Sequence, residues 1–276
     1  MTNSTDFLGA ARVRELLTRH GVTPSRALGQ NFVVDPNTIR KTLSVARVSP
    51  TDRVLEIGPG AGSLTLGLAA SSPSVVAIER DDRLIPLLEE VLSNRRNVEI
   101  INGDAMEADL AATRATSVVS NLPYNMAALL VLKVLEEAPE IQSLTVMTQK
   151  EVGERLAAGP GTKTYGATSV LVAYFALARV EAQVSRRAFW PVPRVDSVLV
   201  RIDRRPEPDQ ESRQSLFEVV KAAFSQRRKT LRNSLAELAG SASAAEDLIR
   251  QAGVDPSRRP ETLSLDDFLM LARRLG

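Results

Sequence analysis

Cysteine is absent from this 276-residue chain, and histidine occurs once, as His20. The first absence excludes disulfides, thiolate zinc sites and cysteine nucleophiles. The second leaves charge-relay hydrolysis and histidine-based hydride chemistry without a centre, because His20 lies upstream of every motif considered below. His20 itself reads as a surface residue ending a helix, where a partial positive charge is favoured. Long apolar runs are also missing: nothing approaches the ~20 residues of a membrane span, and the N-terminus lacks a signal peptide's apolar segment. A cytoplasmic protein without membrane or metal partners is the expectation. What remains is ordinary for a globular chain, with 43% apolar and 25% charged residues, enough for one large domain and a small one. Net charge is only +2, so the Arg-rich clusters matter more than the total.

The most informative stretch is Glu56-Ile57-Gly58-Pro59-Gly60-Ala61-Gly62-Ser63-Leu64-Thr65. The apolar Arg53-Val54-Leu55 before it has the bulk of a buried strand, and Leu64, Leu66, Leu68 and Ala69 after it open a helix apolar on one side. Strand, glycine turn and helix in that order form the first crossover of a parallel sheet. Glycines at 58, 60 and 62 allow a sharp turn and remove side chains that would hold a ligand away. Helix N–H groups beginning near Gly62 then point into the turn. Alone, this says only that a nucleotide-like cofactor is expected. Ser63 stands where a dinucleotide fingerprint would have its third glycine, which argues against NAD. Glu79, ending the run Val75-Val76-Ala77-Ile78, is placed to accept hydrogen bonds from a ribose.

An α/β alternation follows, with strands expected near 53–58, 74–79, 97–101, 116–120 and 143–148. Helices are expected at 10–17, 38–45, 62–71, 81–93, 126–137 and 150–158. A further strand within 168–180 and another near 195–202 would form an antiparallel pair closing the sheet. Phe189-Trp190-Pro191-Val192-Pro193-Arg194-Val195-Asp196-Ser197 reads as a stiff loop running into that last strand. The proline-rich 204–210 is the best linker candidate, so the reading is a large domain over 1–205 and a small helical domain over 206–276.

Two further strand ends carry chemistry. Asp104, after Asn102-Gly103, is either an acceptor for an adenine amino group or a helix N-cap. Asn121-Leu122-Pro123-Tyr124 is more specific: an amide, a proline-fixed turn and an aromatic at the C-terminal edge of a sheet. Together these four strand ends resemble the S-adenosylmethionine-dependent adenine-N6 methyltransferases. Gly29-Gln30-Asn31-Phe32, Tyr165-Gly166, the proline loop and Phe224-Ser225-Gln226-Arg227-Arg228-Lys229-Thr230-Leu231-Arg232-Asn233 narrow this. They resemble the small-subunit ribosomal RNA adenine dimethyltransferases, the KsgA type, over roughly residues 25 to 270.

The resemblance implies a Rossmann-like methyltransferase domain with a small C-terminal α-helical domain. It implies S-adenosylmethionine contacts at Asn31, Val33, Gly58, Gly60, Glu79, Asp104 and Asn121, and catalysis by Asn121, Leu122, Pro123 and Tyr124. Arg194, Arg227, Arg228, Lys229 and Arg232, with Arg26 and others, would hold RNA phosphates. The implied substrate is small-subunit ribosomal RNA in a 30S precursor particle, with two adjacent adenosines of the 3′-terminal hairpin dimethylated by a monomer. Val33 stands where Leu is usual, so its contact is expected through the backbone. Three alternatives stay open. One is the related large-subunit enzyme that confers macrolide resistance, against which the proline loop and the Arg-Arg-Lys run argue. The others are a ribosome-assembly factor without catalysis, opposed by the intact Asn121 and Tyr124, and an NAD-dependent enzyme.

Overall fold

The computed structural model describes residues 7–25, 28–206, 210–226 and 229–275. Two N-terminal helices, α1 (Ala10–Arg19) and α2 (Pro36–Ala46), flank a short strand, β1 (Phe32–Val33). The alternation then runs β2 (Arg53–Ile57), α3 (Ser63–Ser71), β3 (Ser74–Glu79), α4 (Ile85–Leu92), β4 (Val98–Asn102), β5 (Ser117–Asn121), α5 (Ala127–Glu137), β6 (Ser143–Gln149) and α6 (Lys150–Leu156). After it come α7 (Ala167–Phe175), β7 (Ala176–Val184), β8 (Phe189–Trp190) and β9 (Ser197–Arg204). The chain closes with α8 (Arg213–Phe224), α9 (Leu231–Ser234), α10 (Ala242–Gln251) and α11 (Leu265–Leu275).

Seven strands form one sheet in the order β4-β3-β2-β5-β6-β9-β7. The first five are parallel, and β9 adds antiparallel to β6. Parallel strands are covered on both faces, which is why runs such as Val75-Val76-Ala77-Ile78 show no polar alternation. The winding direction reverses between β2 and β5. There the ladder runs only through Val54 opposite Ser117 and Leu55 opposite Val118. Beyond those pairs the Ile57 N–H donates to the Ser120 hydroxyl at 2.8 Å instead of to a backbone carbonyl. The strands part at their C-terminal ends, and such a crevice is where open α/β sheets take ligands.

One face of the sheet packs Val54, Val75, Val119, Met147 and Leu199 against Ile39 of α2 and Leu64 and Leu68 of α3. Each such side chain, fully buried, contributes about 1.5–3 kcal/mol. The expectation that α3 is apolar on one side only needs correcting: residues 63–69 are all buried. Its polar residues are small, and a Cβ at Gly67 would lie 2.9 Å from Leu43 and 3.0 Å from Phe7, so neighbours close over the outer side as well. At the C-terminus of α5, Arg204 donates from Nε to the Ile141 carbonyl (2.9 Å) and from Nη2 to Leu135 (2.9 Å) and Ala138 (3.2 Å), satisfying the free ends of that helix.

A second expectation also changes. The strand placed within 168–180 begins only at Ala176, and Ala167–Phe175 is helical. Ser169 accounts for the start: its hydroxyl accepts the Gly166 N–H (3.1 Å) and donates to the Arg155 carbonyl (2.6 Å). A short apolar run does not by itself distinguish helix from buried strand.

Packing divides the chain into one unit of the described residues up to Gly153 with Ala178–Arg204, and a second of Glu154–Leu177 with the described residues from Arg205 onward. The boundary expected at 205–206 omits the excursion over 154–177. That excursion joins the C-terminal helices through the Tyr165 hydroxyl, which donates to the Leu263 carbonyl at 2.8 Å, and through an edge-on contact between Tyr165 and Phe224. Part of the expected linker, 207–209, lies outside the described residues. Among the described residues no helix is long and apolar enough to cross a membrane.

Candidate active site

The crevice opens into a cavity at the C-terminal ends of β2, β3, β4 and β5, lined by residues 28–33, 56–61, 78–81, 103–106 and 121–126. Asn31, Val33, Gly58, Gly60, Glu79, Asp104, Asn121, Leu122, Pro123 and Tyr124 all line it. Val33 turns its side chain into the core beside Ile39 and Phe189.

The glycine turn is built on left-handed backbone, with φ of +71° at Gly58, +59° at Gly60 and +83° at Gly62. At Gly60 space is closed as well, since a Cβ there would lie 2.9 Å from the Phe32 ring. The Gly60 N–H donates to Glu79 Oε2 at 3.0 Å, and the Asp81 N–H donates to Oε1 at 2.9 Å. Glu79 is thus clamped across the cavity floor with lone pairs still free on both oxygens. Burial raises its acid above the ordinary range, opposed by these backbone bonds.

Deeper in the same wall lies Glu56, 1% exposed. Burial pushes its carboxyl up to about 8, eased in part by the neighbouring Thr65 hydroxyl and raised further by the charge of Glu79. Neither Glu56 Oε2 nor Thr65 Oγ1 has a hydrogen-bond partner among the described residues.

The Gly-Gln-Asn-Phe segment is bolted over this turn. Gln30 accepts the Ser25 N–H (2.7 Å) and donates to Asp81 Oδ2 (2.7 Å). Arg83, paired with the same carboxylate, is the largest of the influences that hold Asp81 below the usual range. Asn31 then offers its backbone carbonyl to Asn121 Nδ2 at 3.0 Å. That bond fixes the Asn121 amide with its Oδ1 buried and unpartnered. The Leu122 N–H donates to the Met147 carbonyl (3.0 Å) and the Met126 N–H to the Pro123 carbonyl (3.0 Å), so the 121–126 turn is held at both ends. Tyr124 meets Ser197 through their hydroxyls at 2.8 Å. Burial raises the Tyr124 phenol above its ordinary value. Asp104 keeps both of its readings: Oδ1 accepts the Met106 N–H at 2.9 Å, as a cap would, while the carboxylate faces the cavity and Arg80 lies 3.3 Å from Oδ2.

The expected RNA contacts are less uniform. Arg194 is exposed in the proline loop, and Lys229 is exposed. Arg232 is paired with Glu246 at 2.8 Å, and Glu246 is shared with Arg250. Arg26, Arg227 and Arg228 lie outside the described residues. Sequence reasoning gave no role to Glu56, to the Gln30 bond with Asp81 or to the Ser197 bond with Tyr124. A lone acid inside the apolar run Val54-Leu55-Glu56-Ile57 was the available signal for the first.

The family model for ribosomal RNA adenine dimethylase matches residues 23–275. A ribosomal RNA small subunit methyltransferase A of Leifsonia xyli subsp. xyli (strain CTCB07) is 46% identical over 279 residues, spanning 99% of this chain and 100% of its own. Among solved structures, a dimethyladenosine transferase from Plasmodium falciparum superposes with a TM-score of 0.73 at 25% identity, covering 86% of this chain and 94% of that one. The 23S rRNA methyltransferase ErmE superposes at 0.68 with 29% identity, covering 89% and 99%. A match that spans the glycine turn, Asn121-Leu122-Pro123-Tyr124, the proline loop and the C-terminal helices together is more than a shared cofactor fold: the chain belongs to the ribosomal RNA adenine dimethylase family.

Proposed function

We propose that this chain dimethylates the N6 amines of two adjacent adenosines in the 3′-terminal hairpin loop of small-subunit ribosomal RNA, in the course of 30S subunit biogenesis. The methyl donor is S-adenosylmethionine. The small-subunit assignment draws support from 46% identity to a small-subunit enzyme against 29% to a large-subunit one.

The observation that carries the reading is the Asn121 amide. Its donor side is committed to the Asn31 carbonyl, and its acceptor side is buried and unpartnered. A buried acceptor without a donor is costly, by about 1–3 kcal/mol, so the site is built for a ligand that brings an N–H. An exocyclic adenine amine is such a ligand.

The cavity suits the cofactor on three counts. The glycine turn leaves backbone N–H groups uncovered at the start of α3. Glu79 retains acceptor capacity for a pair of hydroxyls, and the Glu79 and Asp81 carboxylates along the cavity favour a cation. Bound there, S-adenosylmethionine supplies an electrophilic methyl group on a positively charged sulfur.

The amine itself is a poor nucleophile because its lone pair is delocalised into the ring. Hydrogen bonds from its two N–H groups to Asn121 Oδ1 and the Leu122 carbonyl would draw the nitrogen toward a tetrahedral shape and expose that lone pair. Pro123 fixes the direction of the Leu122 carbonyl by restricting the following torsion. Tyr124 offers its ring to a base swung out of its stack. The rate gain then comes from alignment of nitrogen and methyl carbon.

Single-turnover methyl transfer, with RNA and cofactor saturating, tests this. Asn121→Ala should lower the rate on the order of a hundredfold or more while RNA affinity changes far less. A wild-type rate in that variant would overturn the assignment. Running small-subunit and large-subunit RNA side by side separates the two substrate readings.

A further inference from the structure

We propose that Ser197 is a positioning residue for Tyr124, fixing the plane of the ring on which the target adenine stacks; the inference rests on the stacking role given to Tyr124 above. The two residues are 73 positions apart, yet their hydroxyls meet at 2.8 Å. Ser197 is wholly buried and opens β9, opposite Gln149 in the antiparallel ladder with β6. Its backbone is held firmly, since the neighbouring Asp196 accepts the Lys150 N–H on its carbonyl (3.0 Å) and the Arg186 N–H on Oδ1 (2.9 Å).

Tyr124 has the opposite character. It sits on the short 121–126 turn at the cavity mouth, partly exposed. Two side-chain torsions separate its ring from that turn, and stacking geometry depends on both. A bond at the far end of the ring, to an anchor set in the sheet, restrains both torsions at once. It also explains a buried polar side chain where a strand in this position would otherwise take an apolar one.

The proline loop acquires a physical role from the same contact. Its start pairs Trp190 with Phe32, next to the Asn31 carbonyl that holds Asn121. Its end, Ser197, holds Tyr124. The loop is therefore tied at one end beside the amine-binding amide and at the other to the stacking ring.

The test combines single-turnover rates with the fluorescence of a target hairpin carrying 2-aminopurine at the methylated position, whose quenching reports stacking. Ser197→Ala is expected to lower the rate about three- to tenfold, the range that loss of one ordinary hydrogen bond covers. Quenching should weaken, while RNA KM and cofactor affinity stay within twofold. Tyr124→Phe removes the same bond from the ring side and leaves β9 intact, so it should reproduce the loss. The double variant should be no slower than either single one. Losses that multiply, a wild-type rate and quench in Ser197→Ala, or a parallel loss of cofactor affinity would each overturn the proposal. If Tyr124→Ala retains full quenching, the stacking reading falls and this one with it. If Tyr124→Ala loses the quench and Ser197→Ala does not, only the role of Ser197 falls.

Discussion

Raising the pH should cost the ligand-free chain stability, and replacing Glu56 by Gln should remove most of that cost. The Glu56 carboxyl rises from 4.5 to about 8 on folding because burial disfavours its charged form. Between those values the folded chain carries a proton that the unfolded chain has released, so stability falls as pH increases across the window and is level below it. At about 1.36 kcal/mol per pH unit, the full interval corresponds to about 5 kcal/mol, an upper bound because partial opening of the site relieves burial. Glu79, also raised by burial and facing Glu56, adds to the same slope. The strengthened carboxylates act elsewhere: Asp81, Glu90, Glu246 and Asp255 are all lowered, so their contributions fade only in acid, below the window. Urea unfolding at about pH 5, 7 and 9 measures the slope. Glu56→Gln keeps the shape of the side chain and removes the titration, so it should match the wild type at pH 5 and exceed it at pH 9 by about 2 kcal/mol or more. Parallel pH profiles for the two proteins, or a wild type that gains stability with pH, would refute the reasoning.

Gly60→Ala should weaken cofactor binding tenfold or more in calorimetry, because the added Cβ meets Phe32 at 2.9 Å on left-handed backbone that costs about 1–2 kcal/mol for other residues. Arg204→Met should lower unfolding stability by about 1–3 kcal/mol, since it orphans the carbonyls of Ile141 and Leu135 at the end of α5, with methyl transfer under saturating conditions unchanged. Replacing Arg227, Arg228 and Lys229 together by Ala should flatten the salt dependence of RNA binding by up to ~0.7–0.9 units of slope for each phosphate no longer neutralised, without altering cofactor affinity. Arg232→Ala alone should do less, because that cation is already paired with Glu246.

The inner parallel strands were legible because they are buried on both faces and therefore spell themselves as short, mostly apolar runs between turn residues, as Val75-Val76-Ala77-Ile78 does. Four strand ends could be read with them, since the glycine turn, Glu79, Asp104 and Asn121-Leu122-Pro123-Tyr124 each close or follow a strand run. Ala167–Phe175 was not legible: Ala-Thr-Ser-Val-Leu-Val-Ala-Tyr-Phe has strand composition, and only Ser169 capping Gly166 and reaching the Arg155 carbonyl reveals the helix. The breadth of burial around α3 was hidden for a related reason. Ser63 and Thr65 look like a polar face, yet both hydroxyls are buried without a partner among the described residues.

Glu56 aside, what escaped the sequence within the site has one physical character. Gln30 with Asp81, Asn121 with Asn31, and Tyr124 with Ser197 are pairs separated by 51, 90 and 73 positions. Each pair leaves no local periodicity or cap signal, because neither partner's own segment requires the other in order to form. Yet these bonds set how the legible motifs present their polar atoms. Asn121 placed at a strand end is only an amide; once its Nδ2 donates to the Asn31 carbonyl, its Oδ1 is the atom left buried and unpartnered. The motifs supply the polar groups, and the long-range bonds decide which atom of each group is left free.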